Sequence, residues 1–302
     1  MTGDPGFADA DWLYWNVYPK AGPQLDHAVR LVGAELVQPH IETIQRWFFI
    51  RFLDGRGPHL RVRIRADRET LDAITARRDH LTSALEHVSR ETRSRDRFFG
   101  RSSEIWNRWP MADSPAIHGD FYEPERSKWG DGADLLQSED VFAASSCLAL
   151  AMITSHTDRQ LGSARLPFAT RVAHDAAVAF AGPSNARQIL LRHSEWWKGP
   201  AGGTINSSRI DEATTEKLRA ATLAGYPEGI DLFARPFLTA IHGLAAPTAK
   251  PRRSPLYRFH HHLHLQLNRL GVYPLHEAVV AEAAARLSEV PADSGQRRMA
   301  HE

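Results

Sequence analysis

Disulfides, signal sequences and long apolar runs are all missing from this 302-residue sequence. Cys147 is the single cysteine, so an internal disulfide is excluded, and its apolar surroundings predict a buried thiol rather than a nucleophile. The N-terminus lacks the basic start and the apolar core of a signal peptide. Because no run of about 18 apolar residues occurs, we expect no membrane-spanning helix and predict a cytoplasmic location.

A dominant sign of charge is also absent. Lys and Arg number 37 against 36 for Asp and Glu, so the chain has no overall field to attract nucleic acid or an anionic membrane. The sequence has no Gly-rich phosphate loop, no dinucleotide fingerprint, and no HExxH or paired-cysteine motif. We therefore predict no cofactor, no metal, no direct nucleic-acid partner and no membrane partner. Any anion-binding site must be local.

The chain does have enough apolar sequence, 42% of its residues, to bury a large core. Alternation of apolar and polar residues predicts strands in its first half, at 12–17, 47–52, 59–65 and 120–122. The second and third strands are expected to form a hairpin with a long turn, because glycine and proline cluster over 54–58.

Helical spacing predicts helices over 25–36 and 70–93, and over most of the chain beyond residue 133. The predicted helices of this second half are 134–157, 167–181, 184–197, 209–223, 229–243, 255–270 and 275–289. Strands in the first half and helices in the second predict an α+β protein. We expect residues 1–290 to form a single domain, followed by a frayed polar tail over 291–302.

Three arginines alternate with apolar residues in the predicted strand that begins at His59. Side chains on one face of a strand recur every ~6.6 Å, so Arg61, Arg63 and Arg65 share a face. One interpretation is an exposed face that is paired with acidic residues, because neighbouring guanidiniums otherwise repel one another. The other is an anion site, because the planar fork of arginine suits a carboxylate or phosphate. The spacing leaves both interpretations open.

The histidine-rich segment 256–270 is the second candidate. His260 and His264 are four residues apart and share a helix face, but a metal site would need a third ligand that no motif supplies. A core histidine with satisfied hydrogen bonds is the simplest interpretation of His264. Because imidazole titrates near neutral pH, a general acid or base is the alternative.

Three motifs follow one another along the chain. The first joins WFFIRF at 47–52 to GPHLRVR at 57–63, the second is YEPERSKWGD at 122–131, and the third is HLQLNRLG at 264–271. In this order they resemble the C-terminal elimination domain of lantibiotic dehydratases and its stand-alone relatives in thiopeptide-type bacteriocin biosynthesis. The resemblance extends over residues 12 to about 285.

The resemblance implies a peptide-modifying lyase. A separate tRNA-dependent enzyme attaches glutamate to Ser or Thr of a ribosomally made precursor peptide, and this domain eliminates the glutamate to leave dehydroalanine or dehydrobutyrine. Carried over by position, Arg61 and Arg63 grip the glutamate and stabilise charge, and His264 transfers the proton. Lys128 and Tyr122 contribute to substrate binding. The implied partners are the precursor peptide, leader plus core, and the glutamylating enzyme; a homodimer is left open.

The sequence departs from the family pattern at four positions. Lys128 stands where the family has an arginine, which keeps the charge but loses the planar fork. Trp129 and Asp131 replace a tyrosine and a glycine, and Gln266 replaces the second histidine of the last motif. These departures leave open a pyridine synthase, which joins two dehydroalanines in a formal aza-[4+2] cycloaddition and expels the leader peptide. A non-catalytic leader-peptide-binding subunit is the other alternative.

Overall fold

The structure, a computed structural model, describes residues 10–20, 24–91, 114–198, 218–220, 222–223, 225–246 and 253–288. The strands are β1 (Asp11–Tyr18), β2 (Ile44–Asp54), β3 (Gly57–Ala66) and β4 (Ala116–Asp120). The helices are α1 (Leu25–Val32), α2 (Arg68–Ala76), α3 (Arg78–Glu91), α4 (Arg126–Trp129), α5 (Ala133–Thr154), α6 (Asp158–Ala181), α7 (Pro183–Lys198), α8 (Asp231–Gly243), α9 (Pro255–Arg269) and α10 (Pro274–Leu287). This distribution confirms the predicted α+β class. The predicted tail and most of the predicted helix at 209–223 lie outside the described residues.

The four strands form an antiparallel sheet in the order β2-β3-β1-β4. Because side chains alternate between the two faces of a strand, Leu60, Val62 and Ile64 point into the core and are almost fully buried. The three arginines of β3 lie on the opposite face. The first three predicted strands are confirmed, but the fourth, predicted over 120–122, is misplaced, because β4 ends at Asp120.

The hairpin between β2 and β3 has a two-residue turn, so the predicted long turn is wrong. Pairing continues to Asp54 and Gly57, which leaves Gly55 and Arg56 as the turn. The Asp54 carboxylate accepts the backbone N–H of Arg56 at 2.8 Å, and Gly57 has a φ of 120° that other residues resist. The two-residue turn therefore lets the hydrogen-bonded pairing of β2 and β3 continue beyond the predicted strand ends.

Two of the predicted helices in the first half are interrupted. The expected single helix over 70–93 is two helices, because Arg77 has φ −85° and ψ −1° and its N–H bonds the Ile74 carbonyl three residues back. The helix expected to end at residue 36 continues from α1 as a widened turn, Gly33–Val37, and then as a 3-10 turn, Gln38–His40. Pro39 lies in the first turn of that last segment.

Helix α6 begins at Asp158, nine residues before the start predicted at Pro167. Thr157 caps it, accepting the N–H of Gln160 while the Gln160 side chain reaches back to the Thr157 backbone. Pro167 is therefore accommodated inside the helix. The reciprocal cap and the packing of both flanks outweigh the loss of one helical hydrogen bond.

Helix α5 packs against β2, α8 and α9. In the described part of the chain it is the one helix that is long and apolar enough to cross a membrane, but 61% of its apolar window is buried, as in a core helix. Cys147 lies partly buried on it. Burial raises the pKa of this thiol, which disfavours the thiolate that a nucleophile needs at neutral pH.

A polar cluster that we call the Asp26 clasp fixes the end of α9 against the open edge of β2. The Asn268 side chain accepts the Arg51 N–H at 2.9 Å and donates to the Arg51 carbonyl at 3.0 Å, as a neighbouring strand would. Asp26 forms ion pairs with Arg51 at 2.6 Å and with Arg165 at 2.5 Å, and Arg165 also donates to the Leu270 carbonyl. The clasp consists of Asp26, Arg51, Arg165 and Asn268.

Candidate active site

A pocket of about 190 Å³ opens between the arginine face of the sheet, the loop after β4, α4 and α9. Its lining includes all the residues that the sequence assigned to catalysis or substrate binding, namely Arg61, Arg63, Tyr122, Lys128 and His264. Arg65 is not part of this lining, so the strand contributes two of its three guanidiniums to the pocket. Three motifs that are far apart in the chain thus meet in one place.

The two arginines of the pocket are flanked by aromatic rings rather than by acids. The guanidinium carbon of Arg63 lies 4.5 Å from the centre of the Tyr14 ring, and that of Arg61 lies 3.4 Å from the centre of the Phe52 ring. Neither guanidinium makes an ion pair or a hydrogen bond with any residue that the structure describes. Among the described residues, the ion-paired interpretation of this face therefore has no support at Arg61 or Arg63. Burial lowers the pKa of Arg63, because it places the charged guanidinium in an unfavourable environment.

Arg269 of α9 adds a further positive charge at the base of the pocket. It is fully buried, and its Nε donates to the Phe49 carbonyl at 2.7 Å while Nη1 donates to Ser145 Oγ at 3.0 Å. Burial, with a smaller contribution from Arg63, lowers its pKa to about 9, so it stays charged at neutral pH. The sequence did not single out Arg269, although it lies within the third motif.

Tyr122 faces Arg63 with its ring and turns its hydroxyl away. The Arg63 guanidinium carbon lies 5.2 Å from the ring centre, and the hydroxyl donates to Glu139 Oε1 at 3.0 Å. Glu139 also pairs with Arg46 at 2.9 Å. Burial and the Glu139 carboxylate raise the pKa of Tyr122 well above its usual value, so the hydroxyl stays protonated and occupied. What Tyr122 offers the pocket is an aromatic surface.

Lys128 lies on the short helix α4, whose position the loop after β4 determines. Its Nζ is 4.8 Å from the centre of the Trp129 ring and 4.0 Å from Glu125 Oε2, a loose pair. Burial lowers the pKa of Lys128, and Glu125 offsets this only in part. Trp129, which stands where the family has a tyrosine, is buried against Phe142 with ring centres 4.9 Å apart. The Trp129 side chain, where this sequence departs from the family pattern, therefore packs in an apolar cluster next to Lys128.

His264 is held by a carboxylate that the sequence analysis missed. Its Nδ1 lies 2.8 Å from Oε1 of Glu277, a fully buried residue of α10, and its ring lies 4.6 Å from that of Trp197. A carboxylate beside Nδ1 favours a proton on Nδ1 and fixes the orientation of the ring. No motif marks Glu277 or Trp197, because their contact with His264 depends on how α7, α9 and α10 pack.

His260 and His264, which share a helix face, have different partners. His260 Nδ1 lies 3.2 Å from His193 Nδ1, whereas His264 is bonded to Glu277. In the described part of the chain, no group of three or more His, Cys, Asp or Glu side chains is arranged to hold a metal ion.

A family model described as lantibiotic biosynthesis dehydratase C-term matches residues 12–288. Among solved structures, TbtD, a pyridine synthase from thiomuracin biosynthesis, is 20% identical with a TM-score of 0.60, and the match covers 92% of this chain and 97% of TbtD. TsrL is 13% identical with a TM-score of 0.51, and the match covers 93% and 94% of the two chains.

The tRNA-dependent lantibiotic dehydratase MibB from Microbispora sp. 107891 is also similar, at 22% identity and a TM-score of 0.49. The match covers 94% of this chain but 28% of MibB. A search of curated proteins gave no match. At these identities the likeness to solved structures establishes the fold alone.

Proposed function

Because this chain belongs to the lantibiotic biosynthesis dehydratase C-terminal family, we propose that it is a peptide-modifying lyase of ribosomal natural-product biosynthesis. It eliminates glutamate from glutamylated Ser or Thr of a precursor peptide and leaves dehydroalanine or dehydrobutyrine. A separate tRNA-dependent enzyme supplies the glutamylated peptide. The protein acts in the cytoplasm, as a single domain over residues 1–290 and without a cofactor.

The observation that carries this proposal is that Arg61 and Arg63, which have no ion-pair partner among the described residues, line the same pocket as His264. Glutamate that comes from tRNA is joined through its α-carbonyl, so its side-chain carboxylate is free in the ester. Elimination releases the α-carboxylate as a second anion. Guanidinium forks match carboxylates in geometry and charge, and a water-poor pocket strengthens the interaction.

The elimination itself follows from the position of His264. Its free Nε2 takes the Cα proton of the modified residue, the C–H electrons form the Cα=Cβ double bond, and the Cβ–O bond breaks to release glutamate. Negative charge that builds on the neighbouring carbonyl oxygen is stabilised by a guanidinium of β3. The imidazolium that forms is stabilised by the buried Glu277 carboxylate on Nδ1.

Lys128 and Tyr122 complete the substrate site. Lys128 supplies a positive charge where the family has an arginine, but as a point charge it cannot make the same two parallel hydrogen bonds. Tyr122 supplies a ring face beside Arg63 and keeps its hydroxyl on Glu139. Together they orient the bound glutamate between α4 and the sheet.

Pyridine formation is the second candidate function. The observation that favours it is the aromatic lining of the pocket, where Phe52 lies against Arg61 and Tyr122 beside Arg63. Such a surface suits a folded peptide with two dehydroalanines. Pyridine formation gives no role to Arg63, whereas elimination uses it to bind a carboxylate. We therefore prefer elimination.

Incubation with two substrates, followed by mass spectrometry, tests the proposal. One is a precursor peptide glutamylated at Ser or Thr, and the other carries dehydroalanines and no glutamate. Elimination predicts loss of glutamate from the first and no change in the second. Release of the leader from the second assigns pyridine formation instead. Binding of either peptide without turnover assigns a non-catalytic leader-binding subunit.

A further inference from the structure

The guanidinium of Arg61 lies flat on the ring of Phe52, in the wall of the candidate active site. Its carbon is 3.4 Å from the ring centre, and both residues line the pocket. Flat groups in van der Waals contact are about 3.5 Å apart, whereas a guanidinium standing on edge at this distance would drive a nitrogen into the ring. The short distance therefore indicates a parallel stack.

The stack determines where the hydrogen-bond donors of Arg61 point. All five N–H groups of a guanidinium lie in its plane, so contact of one face with a ring directs them along that plane and away from the ring. Nε of Arg61 is shielded from solvent, and it has no hydrogen-bond partner among the described residues. In that part of the chain, the ring of Phe52 rather than an acid therefore orients the guanidinium.

Phe52 is itself held by its neighbour across the hairpin. It pairs with His59 of β3, and the two ring centres lie 5.6 Å apart in an edge-to-face arrangement. His59 is almost fully buried, donates from Nδ1 to the Gly57 carbonyl at 3.1 Å, and has its ring centre 4.4 Å from that of Tyr18. A buried, hydrogen-bonded side chain thus supports a ring that is 39% exposed.

We propose that Phe52 is a positioning residue, whose ring holds the guanidinium of Arg61 flat so that its fork meets a carboxylate of glutamate through two parallel hydrogen bonds. The inference rests on the proposed function, which makes glutamate a ligand of this pocket. An arginine side chain has many rotamers, and holding it in the bound orientation before the ligand arrives removes that entropy cost from binding. Loss of the ring should therefore weaken affinity more than it slows the chemical step.

A matched set of variants tests this role. Phe52→Leu keeps an apolar side chain and removes the ring face, whereas Phe52→Tyr keeps the ring. Phe233→Leu is the control, because Phe233 lies on α8, outside the pocket lining, and its exposed fraction of 42% is close to that of Phe52. Calorimetry with free glutamate should show a Kd raised by about 3- to 30-fold in Phe52→Leu, and within about 2-fold of wild type in the other two.

Steady-state kinetics with a glutamylated peptide provides a second readout. Phe52→Leu should raise KM by about 3- to 30-fold and leave kcat within about 3-fold of wild type. Phe52→Tyr should restore the wild-type KM, because the ring returns. A fall in kcat with an unchanged KM overturns the proposal. Phe52→Met, which also lacks a ring, provides the same comparison if Phe52→Leu melts at a lower temperature than Phe233→Leu.

The variant Arg61→Lys separates positioning from packing. Lysine keeps the charge but has no planar fork for a ring to orient. If Phe52 acts through Arg61, adding Phe52→Leu to Arg61→Lys should raise the Kd for glutamate by no more than about 2-fold. An equal loss with and without Arg61→Lys overturns the proposal, because it shows that Phe52 contributes the shape of the pocket alone. A wild-type Kd in Phe52→Leu also overturns it.

Failure of the proposed function is a separate outcome. If the wild type binds free glutamate but releases none from a glutamylated peptide, elimination is wrong, and the calorimetric comparison still decides the role of Phe52. If the wild type eliminates glutamate and Phe52→Leu has an unchanged KM, elimination stands and the positioning role is wrong. A wild type that binds no free glutamate also overturns the positioning role.

Discussion

Arg63 lies with its guanidinium carbon 4.5 Å from the centre of the Tyr14 ring, and no carboxylate of the described residues pairs with it. Tyr14 and Phe48 are its direct neighbours on β1 and β2, so aromatic side chains occupy the positions where acids would be expected. A cation–π contact of about 0.5–2 kcal/mol does not replace the lost hydration of a buried charge. The sheet therefore holds a guanidinium whose hydrogen-bond donors are available to a ligand.

Removal of Arg63 should weaken turnover strongly. Hydrogen bonds to charged groups contribute about 1.5–3 kcal/mol, so we expect Arg63→Ala to lower kcat/KM for a glutamylated peptide by about 10- to 100-fold. Arg65→Ala is the matched control, because Arg65 lies on the same strand and face but outside the pocket, and it should stay within about 3-fold of wild type. Steady-state kinetics by mass spectrometry checks both. Equal effects of the two variants would contradict a specific role for Arg63.

His264 and Glu277 should act as a unit. His264→Ala should lower kcat by about 100- to 10,000-fold, the usual contribution of a general base. Glu277→Gln preserves the shape and removes the charge that stabilises the imidazolium, so we expect a loss of about 10- to 100-fold. The double variant should be no slower than His264→Ala alone. Additive losses in the double variant would show that Glu277 acts elsewhere.

The sequence was most informative about the sheet and the residues of the pocket. Period-two alternation from Leu60 to Arg65 placed the core face and the arginine face of β3, because side-chain direction in a strand depends on position alone. The short-range pattern could not determine whether acids oppose the arginines, since that depends on neighbouring strands. Only the register of β1 and β2 places Tyr14 and Phe48, rather than acids, beside Arg63.

The partners of His264 were beyond sequence reasoning for a similar reason. Glu277 lies on the next helix, α10, and Trp197 lies on α7, far earlier in the chain. Which faces of α7, α9 and α10 meet is decided by packing of apolar side chains, and no local signal encodes it. The break at Arg77 was missed because α2 and α3 share one amphipathic pattern, while a single backbone conformation separates them.

Lys128 should make anion binding depend on pH. Burial lowers its pKa from lysine's usual value of about 10.4, so its positive charge is lost at a lower pH than that of a free lysine. Affinity for glutamate should therefore fall as the pH rises through the lowered pKa. In Lys128→Arg the charge persists, and the affinity should change by less than about 2-fold over the same range. Calorimetric titration with glutamate between neutral and alkaline pH checks this. A parallel fall in both proteins would assign the pH dependence to another group.

The Asp26 clasp should make the fold sensitive to acid. Burial by itself raises the pKa of a carboxyl group, but Arg51 and Arg165 outweigh it and hold the pKa of Asp26 well below its usual range. A carboxylate whose pKa is lower in the folded state stabilises the fold above its unfolded pKa of about 3.9, and this contribution is lost as the pH falls below that value. Asp26→Asn should therefore reduce the difference in unfolding free energy between neutral and acid solution.

The size of the Asp26 effect follows from the carboxylate that Arg51 and Arg165 would both lose. Breaking a buried ion pair from one side costs about 3–5 kcal/mol, and partial exposure reduces this to about 2–4 kcal/mol for Asp26→Asn at neutral pH. Asp158→Asn is the control, because Asp158 pairs with Arg30 at 2.6 Å but is 57% exposed. It should cost about 1 kcal/mol or less. Urea denaturation measures both, and equal losses would show that the clasp contributes no more than a surface pair.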